Sequence, residues 1–156
     1  MQDDLIIKTT NLTKSYGPHV ALSKLNLSVP KGATGLLGPN GAGKSTFLKT
    51  ILGLIQTTEG EGSVLGLDIR TQGDEIRSRI GYMPEYDSLN PEMEAIHQVR
   101  YSGELLGMNP TIALARAHET LQYVGLGEQR YRNIGSYSTG MKQATKLACA
   151  LIHDPE

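Results

Sequence analysis

Cysteine, net charge and long apolar runs are what this sequence of 156 residues has least of. Its single cysteine, Cys149, excludes an internal disulfide and a zinc site built on cysteines. Because Cys149 lies in the apolar run "KLACAL", we expect a buried small hydrophobe there. The four histidines are scattered without metal-ligand spacing. Fifteen basic and sixteen acidic residues give a net charge of −1, so no global field favours nucleic acid or anionic lipid.

The sequence also lacks the marks of export and membrane insertion. No window approaches the roughly 18 apolar residues of a membrane span. The acidic start "MQDDLIIK" does not have the basic and then apolar layout of a signal peptide. We therefore expect a soluble, cytoplasmic protein. Glycine is the one excess, with 18 of 156 residues, and such an excess indicates backbone in special conformations or close to a ligand.

The order of predicted elements indicates an α/β core that carries a helical insertion. "LIIKTTNLTKSYG" and "VALSKLNLSVP" predict two strands joined by a turn at "GPH", while "TGLLG", "SVLGLDI" and "RIGYM" predict three short strands, the first of them buried. Apolar residues from Lys44 to Ile55 recur at helical spacing, and "QTTEGEG" marks the end of that region. "PEMEAIHQVRYSGELLG" and "PTIALARAHETLQYVGLG", bounded by proline and glycine, predict two helices, and "TGMKQATKLACALIH" predicts a third.

The stretch "GPNGAGKST" contains the complete phosphate-loop pattern G-x-x-x-x-G-K-[ST]. At this chain's own residue frequencies, only about 0.015 chance matches are expected. The stretch follows an apolar segment and opens a predicted helix, which is the arrangement that phosphate binding requires. The predicted nucleotide-binding residues of the loop are Gly38, Pro39, Asn40, Gly41, Ala42, Gly43, Lys44, Ser45 and Thr46.

Each residue type in this loop has a physical role. The glycines let successive N–H groups point at phosphate oxygens, and the helix that begins near Lys44 adds its positive N-terminus. Lys44 would reach the β- and γ-phosphates, and the Ser45 hydroxyl would ligate Mg²⁺. The alternative is a glycine-rich turn that merely precedes a helix. The loop predicts a protein that binds a nucleoside triphosphate or descends from proteins that do.

Three further stretches decide among GTPases, kinases, helicases and transport ATPases, which all carry phosphate loops. "YSTGMKQ" resembles the signature motif of ABC-type ATPases, and "RIGYMPE" resembles the stretch that ends in their Q-loop. Tyr16, in "LTKSYG", matches their adenine-stacking aromatic. Over nearly its whole length the chain resembles the ATP-binding subunits of ABC exporters with separate membrane subunits. A kinase or GTPase is disfavoured because nothing in those families explains "YSTGMKQ".

The resemblance implies a P-loop NTPase fold, an ABC-type ATPase core with an N-terminal β subdomain and a helical insertion. Residues 1–84 would form the β subdomain and phosphate-loop core, residues 85–137 the Q-loop and helical subdomain, and residues 138–156 the signature motif with its helix. ATP and Mg²⁺ would be the cofactors. The partners would be a second ATP-binding subunit, identical or not, and a transmembrane permease that holds the protein on the inner face of the cell membrane, with no nucleic acid.

The resemblance also assigns roles to Tyr16 and Glu85. Tyr16 would stack on adenine, which favours ATP over GTP; the alternative is a packing role. Glu85 stands where the family usually has glutamine, and it would keep an oxygen for Mg²⁺, since hard cations accept carboxylate readily. The alternative for Glu85 is a solvated loop carboxylate.

The signature motif would act on a nucleotide held by the second subunit. Its residues here are Ser138, Thr139, Gly140 and Met141. Ser138 precedes a predicted helix, so its hydroxyl and the following N–H groups would present donors to the γ-phosphate; an ordinary serine cap is the alternative. Thr139 departs from the family's usual glycine and Ala144 from its usual arginine.

In the family, the signature helix leads into an apolar strand ending in Asp-Glu, which holds Mg²⁺ and polarises the attacking water. That strand and a later histidine that contacts the γ-phosphate are missing from this sequence, so no catalytic residue is assigned. His153 lies too early to replace the histidine, and Asp154 and Glu156 belong to "HDPE", which matches a turn.

The resemblance therefore predicts a C-terminally truncated ATPase domain. The missing strand would cover "TGLL" and the last helix, so we expect these 156 residues alone to be marginally stable and to hydrolyse ATP slowly, if at all. Three alternatives remain open: a nucleotide-binding or dimerisation module that never hydrolyses ATP, a non-functional fragment, and a soluble ABC protein acting in translation or repair.

Overall fold

The computed structural model describes residues 5–86 and 88–156. The first four residues of the acidic start discussed above, 1–4, lie outside the described range. The chain divides into two compact units, residues 1–77 and residues 78–156. The helices and strands in chain order are β1 (Leu5–Tyr16), β2 (His19–Pro30), α1 (Lys44–Ile51), β3 (Glu59–Val64), β4 (Leu67–Asp68), α2 (Gly73–Arg79), α3 (Ala95–Leu105), α4 (Pro110–Tyr123), two 3₁₀ turns (Gly127–Tyr131 and Ile134–Ser136) and α5 (Thr139–Leu151).

The sheet of the first unit has four antiparallel strands in the order β2-β1-β3-β4. β1 and β2 form the hairpin that the sequence predicts, with Tyr16 opposite His19 at the turn. Leu12 of β1 and Leu22 of β2 are buried, as expected for strands with one face on a core. The first two strand predictions are therefore confirmed.

β3 runs through the glycine-rich stretch that the sequence assigns to the end of a helical region. Its residues pair antiparallel with β1. A Cβ atom on Gly60 would lie 2.2 Å from the carbonyl oxygen of Asn11, and the Gly60 φ is 81°, so this close approach requires glycine. The glycines here permit strand pairing instead of marking a loop. "SVLGLDI" is likewise not one strand, because a turn at Leu65 and Gly66 separates β3 from β4.

The predicted buried strand at "TGLLG" is wrong. Residues 33–39 belong to no strand, and the side chain of Leu37 is 99% exposed. A strand forms when neighbouring backbone pairs with its N–H and C=O groups, and the described residues of the first unit offer none at this segment.

The predicted strand at "RIGYM" is also wrong. Arg79 ends α2, and the residues that follow run beside α5 instead of beside another strand. The N–H of Glu156 donates to the Arg79 carbonyl at 2.9 Å. Further along, a Cβ atom on Gly81 would lie 2.4 Å from the carbonyl oxygen of Ala150. The segment after Arg79 is therefore packed on the C-terminal half of α5.

The second unit contains the three helices that proline and glycine punctuation predicts. Pro110 occupies the first turn of α4, and the Asn109 side chain caps that helix by accepting from the Thr111 N–H at 2.9 Å. Gly107 and Gly125 follow α3 and α4 with left-handed φ angles of 85° and 80°. These helix predictions are confirmed.

Helices α3, α4 and α5 share one apolar core. Its buried members are Ala95, Ile96, Val99, Ala117, Leu121, Leu126, Ile134, Tyr137, Ala148 and Ile152. Cys149 is partly buried and packs against this core, in line with the small hydrophobe expected from the sequence. Burial raises the pKa of the Cys149 thiol, which keeps it protonated. No helix in the described part of the chain has the length and apolar character needed to cross a bilayer.

Two substitutions on α4 test this core. Leu121 is fully buried in it, whereas Ile112 is 57% exposed on the same helix. We expect Leu121→Ala to lower the free energy of unfolding by about 2–5 kcal/mol, because it leaves a cavity. Ile112→Ala should cost no more than about 0.5 kcal/mol. Urea unfolding of both variants measures the difference, and equal losses would contradict the described core.

Candidate nucleotide-binding site

The phosphate-loop motif leads from the extended residues 33–39 into α1. The Ala42 N–H donates to the Pro39 carbonyl at 3.2 Å and closes a tight turn. Gly41 and Gly43 have left-handed φ angles of 83° and 84°. Two left-handed residues within three positions curl the backbone as the sequence predicts for a loop that points N–H groups at an anion.

Gly43 is the N-cap residue of α1 and fixes where the helix begins. A Cβ atom there would lie 2.5 Å from the carbonyl oxygen of Ala21 and 3.0 Å from the Leu22 side chain, both in β2. The Gly43 carbonyl accepts the helical hydrogen bond of the Phe47 N–H at 2.8 Å. The helix therefore starts directly against β2, at a distance that only glycine allows.

The N-terminus of α1 is available to an anion. Gly43 supplies no side-chain cap, and the first turn contains no acidic residue. The first N–H groups of a helix have no partner within it and carry a partial positive charge. Ser45 is exposed in this turn and Thr46 is half-buried. The first turn of α1 therefore offers hydrogen-bond donors to an anion, and no carboxylate in that turn competes for them.

Lys44 folds back over the loop. Its Nζ donates to the carbonyl oxygens of Gly38 and Pro39, both at 2.7 Å. An ammonium group has three N–H donors, and charged phosphate oxygens are stronger acceptors than neutral carbonyls. The loop therefore holds the lysine charge beside the helix N-terminus, from where it can exchange carbonyl partners for phosphate.

Tyr16 ends β1 and lies in the same unit as the phosphate loop. Its side chain is 49% exposed, so the ring is open to a stacking partner. The Lys14 Nζ lies 4.8 Å from the ring centroid, which is a cation–π distance. Tyr16 is therefore a surface residue whose ring contacts the Lys14 ammonium group.

The signature residues begin α5 in the second unit. Ser138 is its N-cap residue, and the Ser138 Oγ accepts from the Met141 N–H at 3.3 Å. Thr139 and Gly140 are exposed, whereas Met141 is half-buried and packs against the core. Like α1, this helix has no acidic residue in its first turn. Glu85 also lies in the second unit and is exposed.

The sequence profile described as "ABC transporter" matches residues 22–156. The chain belongs to the ABC transporter family. The resemblance drawn from the phosphate loop, the Q-loop stretch and the signature motif is thereby confirmed. The match begins within β2 and includes all three motifs.

Several ATP-binding proteins of the ABC transporter family are similar to this chain. The Nod factor export ATP-binding protein I of Sinorhizobium fredii is 36% identical over 156 residues, which are 99% of this chain and 46% of that protein. The linearmycin resistance ATP-binding protein LnrL of Bacillus subtilis is 36% identical, over 97% of this chain and 49% of its own length. The bacitracin transport ATP-binding protein BcrA of Bacillus licheniformis is 37% identical, over 97% of this chain and 49% of its own length. The chain spans about half the length of these relatives.

Solved structures agree with this family assignment. A dimeric ATP-binding cassette in a post-hydrolysis state bound to ADP and Pi has a TM-score of 0.81 and 28% identity, over 96% of this chain and 70% of that one. An ATP-binding cassette in its ADP conformation has a TM-score of 0.84 and 25% identity, over 97% of this chain and 66% of that one. The predicted P-loop NTPase fold of ABC type is confirmed, and the chain covers about two thirds of these cassettes.

His153 and Asp154 lie in the turn that follows α5 in this ABC transporter chain. The pKa of the His153 imidazole is lowered, because the effect of burial outweighs the raising effects of the Ile80 backbone and the Asp154 carboxylate. The ring is therefore mostly neutral at pH 7. Asp154 has a left-handed φ of 59°, and its N–H closes a turn on the Leu151 carbonyl at 3.0 Å. These residues form the turn that "HDPE" predicts.

Sequence reasoning missed Lys146 of α5. Its side chain is only 4% exposed, and the Nζ donates to the carbonyl oxygens of Pro84, Glu85 and Tyr86. The one available signal is a lysine in the otherwise apolar run "TKLACALI". That signal does not reveal the acceptors, because they lie about sixty residues earlier in the chain.

Gly41 and Gly43 provide a matched pair of substitutions for the loop of this ABC transporter chain. Alanine at either position is strained by about 1–2 kcal/mol because of the left-handed φ. Only Gly43→Ala also meets the Ala21 carbonyl, since the space around Gly41 is open within 4 Å. We expect Gly43→Ala to lower the free energy of unfolding by about 1–3 kcal/mol more than Gly41→Ala. Urea unfolding measures both, and equal losses would contradict the contact.

Proposed function

We propose that this chain binds ATP together with Mg²⁺ and forms the ATP-binding part of an ABC transporter. The observation that carries the proposal is the position of Lys44: its ammonium group sits on the Gly38 and Pro39 carbonyls, beside a helix N-terminus that has no acidic residue in its first turn. A cation held beside uncapped helix N–H groups is an anion site. Membership of the ABC transporter family supports the phosphates of ATP as that anion.

The proposed phosphate contacts follow from the loop geometry. Backbone N–H groups of the loop from Asn40 to Thr46 would surround the α- and β-phosphates, with the left-handed Gly41 and Gly43 keeping them directed inward. Lys44 would move from the loop carbonyls to the β- and γ-phosphate oxygens. Pro39, Asn40 and Ala42 would contribute backbone shape instead of side-chain chemistry.

Mg²⁺ is a hard cation that binds oxygen ligands, and the family resemblance names two side chains of this chain for it. The Ser45 hydroxyl is exposed in the first turn of α1, next to the proposed phosphate site, and Glu85 offers an exposed carboxylate in the second unit. We propose both as ligands. When bound, Mg²⁺ supplies charge neutralisation on the β- and γ-phosphates. Ser45 and Glu85 would orient the nucleotide through that charge.

Tyr16 is proposed to hold the base. Its exposed ring can stack on adenine, and stacking of a base on an aromatic side chain stabilises by about 1–3 kcal/mol in nucleic-acid complexes. The Lys14 ammonium group lies over the Tyr16 ring and adds positive charge beside the proposed base-stacking position. We propose ATP as the preferred nucleotide because the family resemblance brings an adenine stack.

The signature residues are proposed to act on a second subunit. Thr139 and Gly140 are exposed at the start of α5, and the Ser138 hydroxyl already accepts the Met141 N–H. A second ATP-binding subunit, identical or not, would place its γ-phosphate against this N-terminus. The helical part of residues 85–137, between residues 1–84 with the phosphate loop and residues 138–156 with the signature, would dock on a transmembrane permease. The protein would then sit on the inner face of the membrane.

We further propose that the whole protein hydrolyses ATP to drive transport, whereas residues 1–156 alone hydrolyse it slowly. The residues that line the groove beside Lys44 include no carboxylate that could polarise water. The alternative is a nucleotide-binding module that never hydrolyses. Measuring ATP turnover by the whole protein separates the two, because the module predicts binding without turnover.

Lys44→Met tests the phosphate site. The variant keeps the apolar stem and removes the charge, and charge-assisted hydrogen bonds contribute about 1.5–3 kcal/mol each, so we expect ATP affinity to fall at least about tenfold. A fluorescent ATP analogue titrated into the full chain measures the affinity. Lys49→Met is the matched control, since Lys49 lies in the last turn of the same helix.

The control variant should bind ATP as the unsubstituted chain does. An equal loss in both variants would mean that a general positive charge on α1, and not the loop, attracts the nucleotide. Full affinity in Lys44→Met would contradict the proposed site directly.

A further inference from the structure

Lys146 is a buried cation with three backbone acceptors. Among residues 5–86 and 88–156, it is the one charged side chain that is buried, with 4% of its surface exposed. Its Nζ donates to the carbonyl oxygens of Pro84 at 2.9 Å, Tyr86 at 3.2 Å and Glu85 at 3.4 Å. The three N–H donors of an ammonium group match three acceptors that converge from consecutive residues. A compact charge on a flexible stem suits this arrangement better than the planar fork of arginine.

The acceptors belong to a segment that follows α5 in the opposite direction. Arg79 meets Glu156, Gly81 meets Ala150, and Pro84 meets Lys146. Residue numbers therefore increase along the segment while those of the contacted residues decrease, so the two run antiparallel. The last of these contacts is the one with the charged Lys146, and it lies next to Glu85.

We propose that Lys146 is a positioning residue that fixes the Pro84–Tyr86 backbone on α5 and so holds the Glu85 carboxylate in place relative to Ser138. Separating the segment from the helix would leave a buried cation without these acceptors, which is costly. The segment and α5 therefore move as one body. The role toward Mg²⁺ rests on the proposed function, in which Glu85 is a metal ligand, whereas the attachment itself does not.

Chymotrypsin cleavage tests the attachment in the full chain. Tyr86 is 66% exposed within the attached segment, and Tyr123 is 81% exposed at the end of α4. Lys146→Met keeps most of the apolar stem, one atom shorter than lysine, and removes all three hydrogen bonds. We expect cleavage after Tyr86 to accelerate about tenfold or more relative to cleavage after Tyr123, because the bonds involve a charged donor. Lys146→Arg, which keeps the charge but holds its donors in a planar fork, should restore only part of the protection.

The ratio of the two sites separates positioning from general stability. A purely structural role would destabilise the whole unit and accelerate both cleavages together, and that result would overturn the proposal. Lys8→Met is the matched control, because Lys8 is an exposed lysine in β1 of the other unit. It should leave both rates unchanged.

Magnesium dependence of ATP binding tests the link to Glu85. We expect Lys146→Met and Glu85→Ala to reduce the gain in ATP affinity on adding Mg²⁺ by a similar factor. A normal Mg²⁺ gain in Lys146→Met, alongside a reduced gain in Glu85→Ala, would overturn the positioning role. If Glu85→Ala itself has a normal gain, the metal role of Glu85 fails, and the cleavage ratio still decides whether Lys146 attaches the segment.

Discussion

The close approach of Gly43 to the Ala21 carbonyl is the constraint on which the rest of the candidate site depends. It places the start of α1 against β2 and sets the direction in which the first N–H groups of the helix point. Lys44 follows directly, so its ammonium reaches the Gly38 and Pro39 carbonyls. A larger residue at position 43 would shift the helix, the lysine and the donors together. The proposed phosphate site thus depends on one backbone contact more than on any single side chain.

The two units present helix N-termini that differ in a chemically useful way. α1 begins at a glycine that supplies no side-chain cap, whereas α5 begins at Ser138, whose hydroxyl already accepts the Met141 N–H. Neither first turn contains an acidic residue. An uncapped terminus with a lysine suits tight phosphate binding, while a capped and exposed terminus suits a weaker, reversible contact. That difference agrees with the proposal that one terminus holds ATP and the other meets a nucleotide on a partner.

Elements with local signals could be predicted from the sequence. The hairpin of β1 and β2 follows from alternation and a turn, and α4 from Pro110, an Asn109 cap and Gly125. The strand predictions failed where strand formation depends on the pairing partner. "TGLLG" has strand composition, but no described strand pairs with it, and Glu59–Val64 has loop composition, but Gly60 lets it approach Asn11. Pairing partners are a long-range property that local composition does not contain.

The same limit applied within the site. The phosphate loop is a contiguous motif whose chemistry depends on its own residues, so its place at the start of α1 could be predicted. Lys146 could not, because a buried lysine is stable only where acceptors converge, and here they come from a segment about sixty residues away. The contacts of Lys146 exist only because the fold places the segment after Arg79 beside α5.

The most direct test of the account is a crystal structure of the chain with Mg²⁺ and a non-hydrolysable ATP analogue. The account predicts that the Lys44 Nζ leaves the Gly38 and Pro39 carbonyls for β- and γ-phosphate oxygens. It also predicts that the Ser45 hydroxyl is a ligand of Mg²⁺. A nucleotide bound elsewhere, with Lys44 still on the two loop carbonyls, would contradict it.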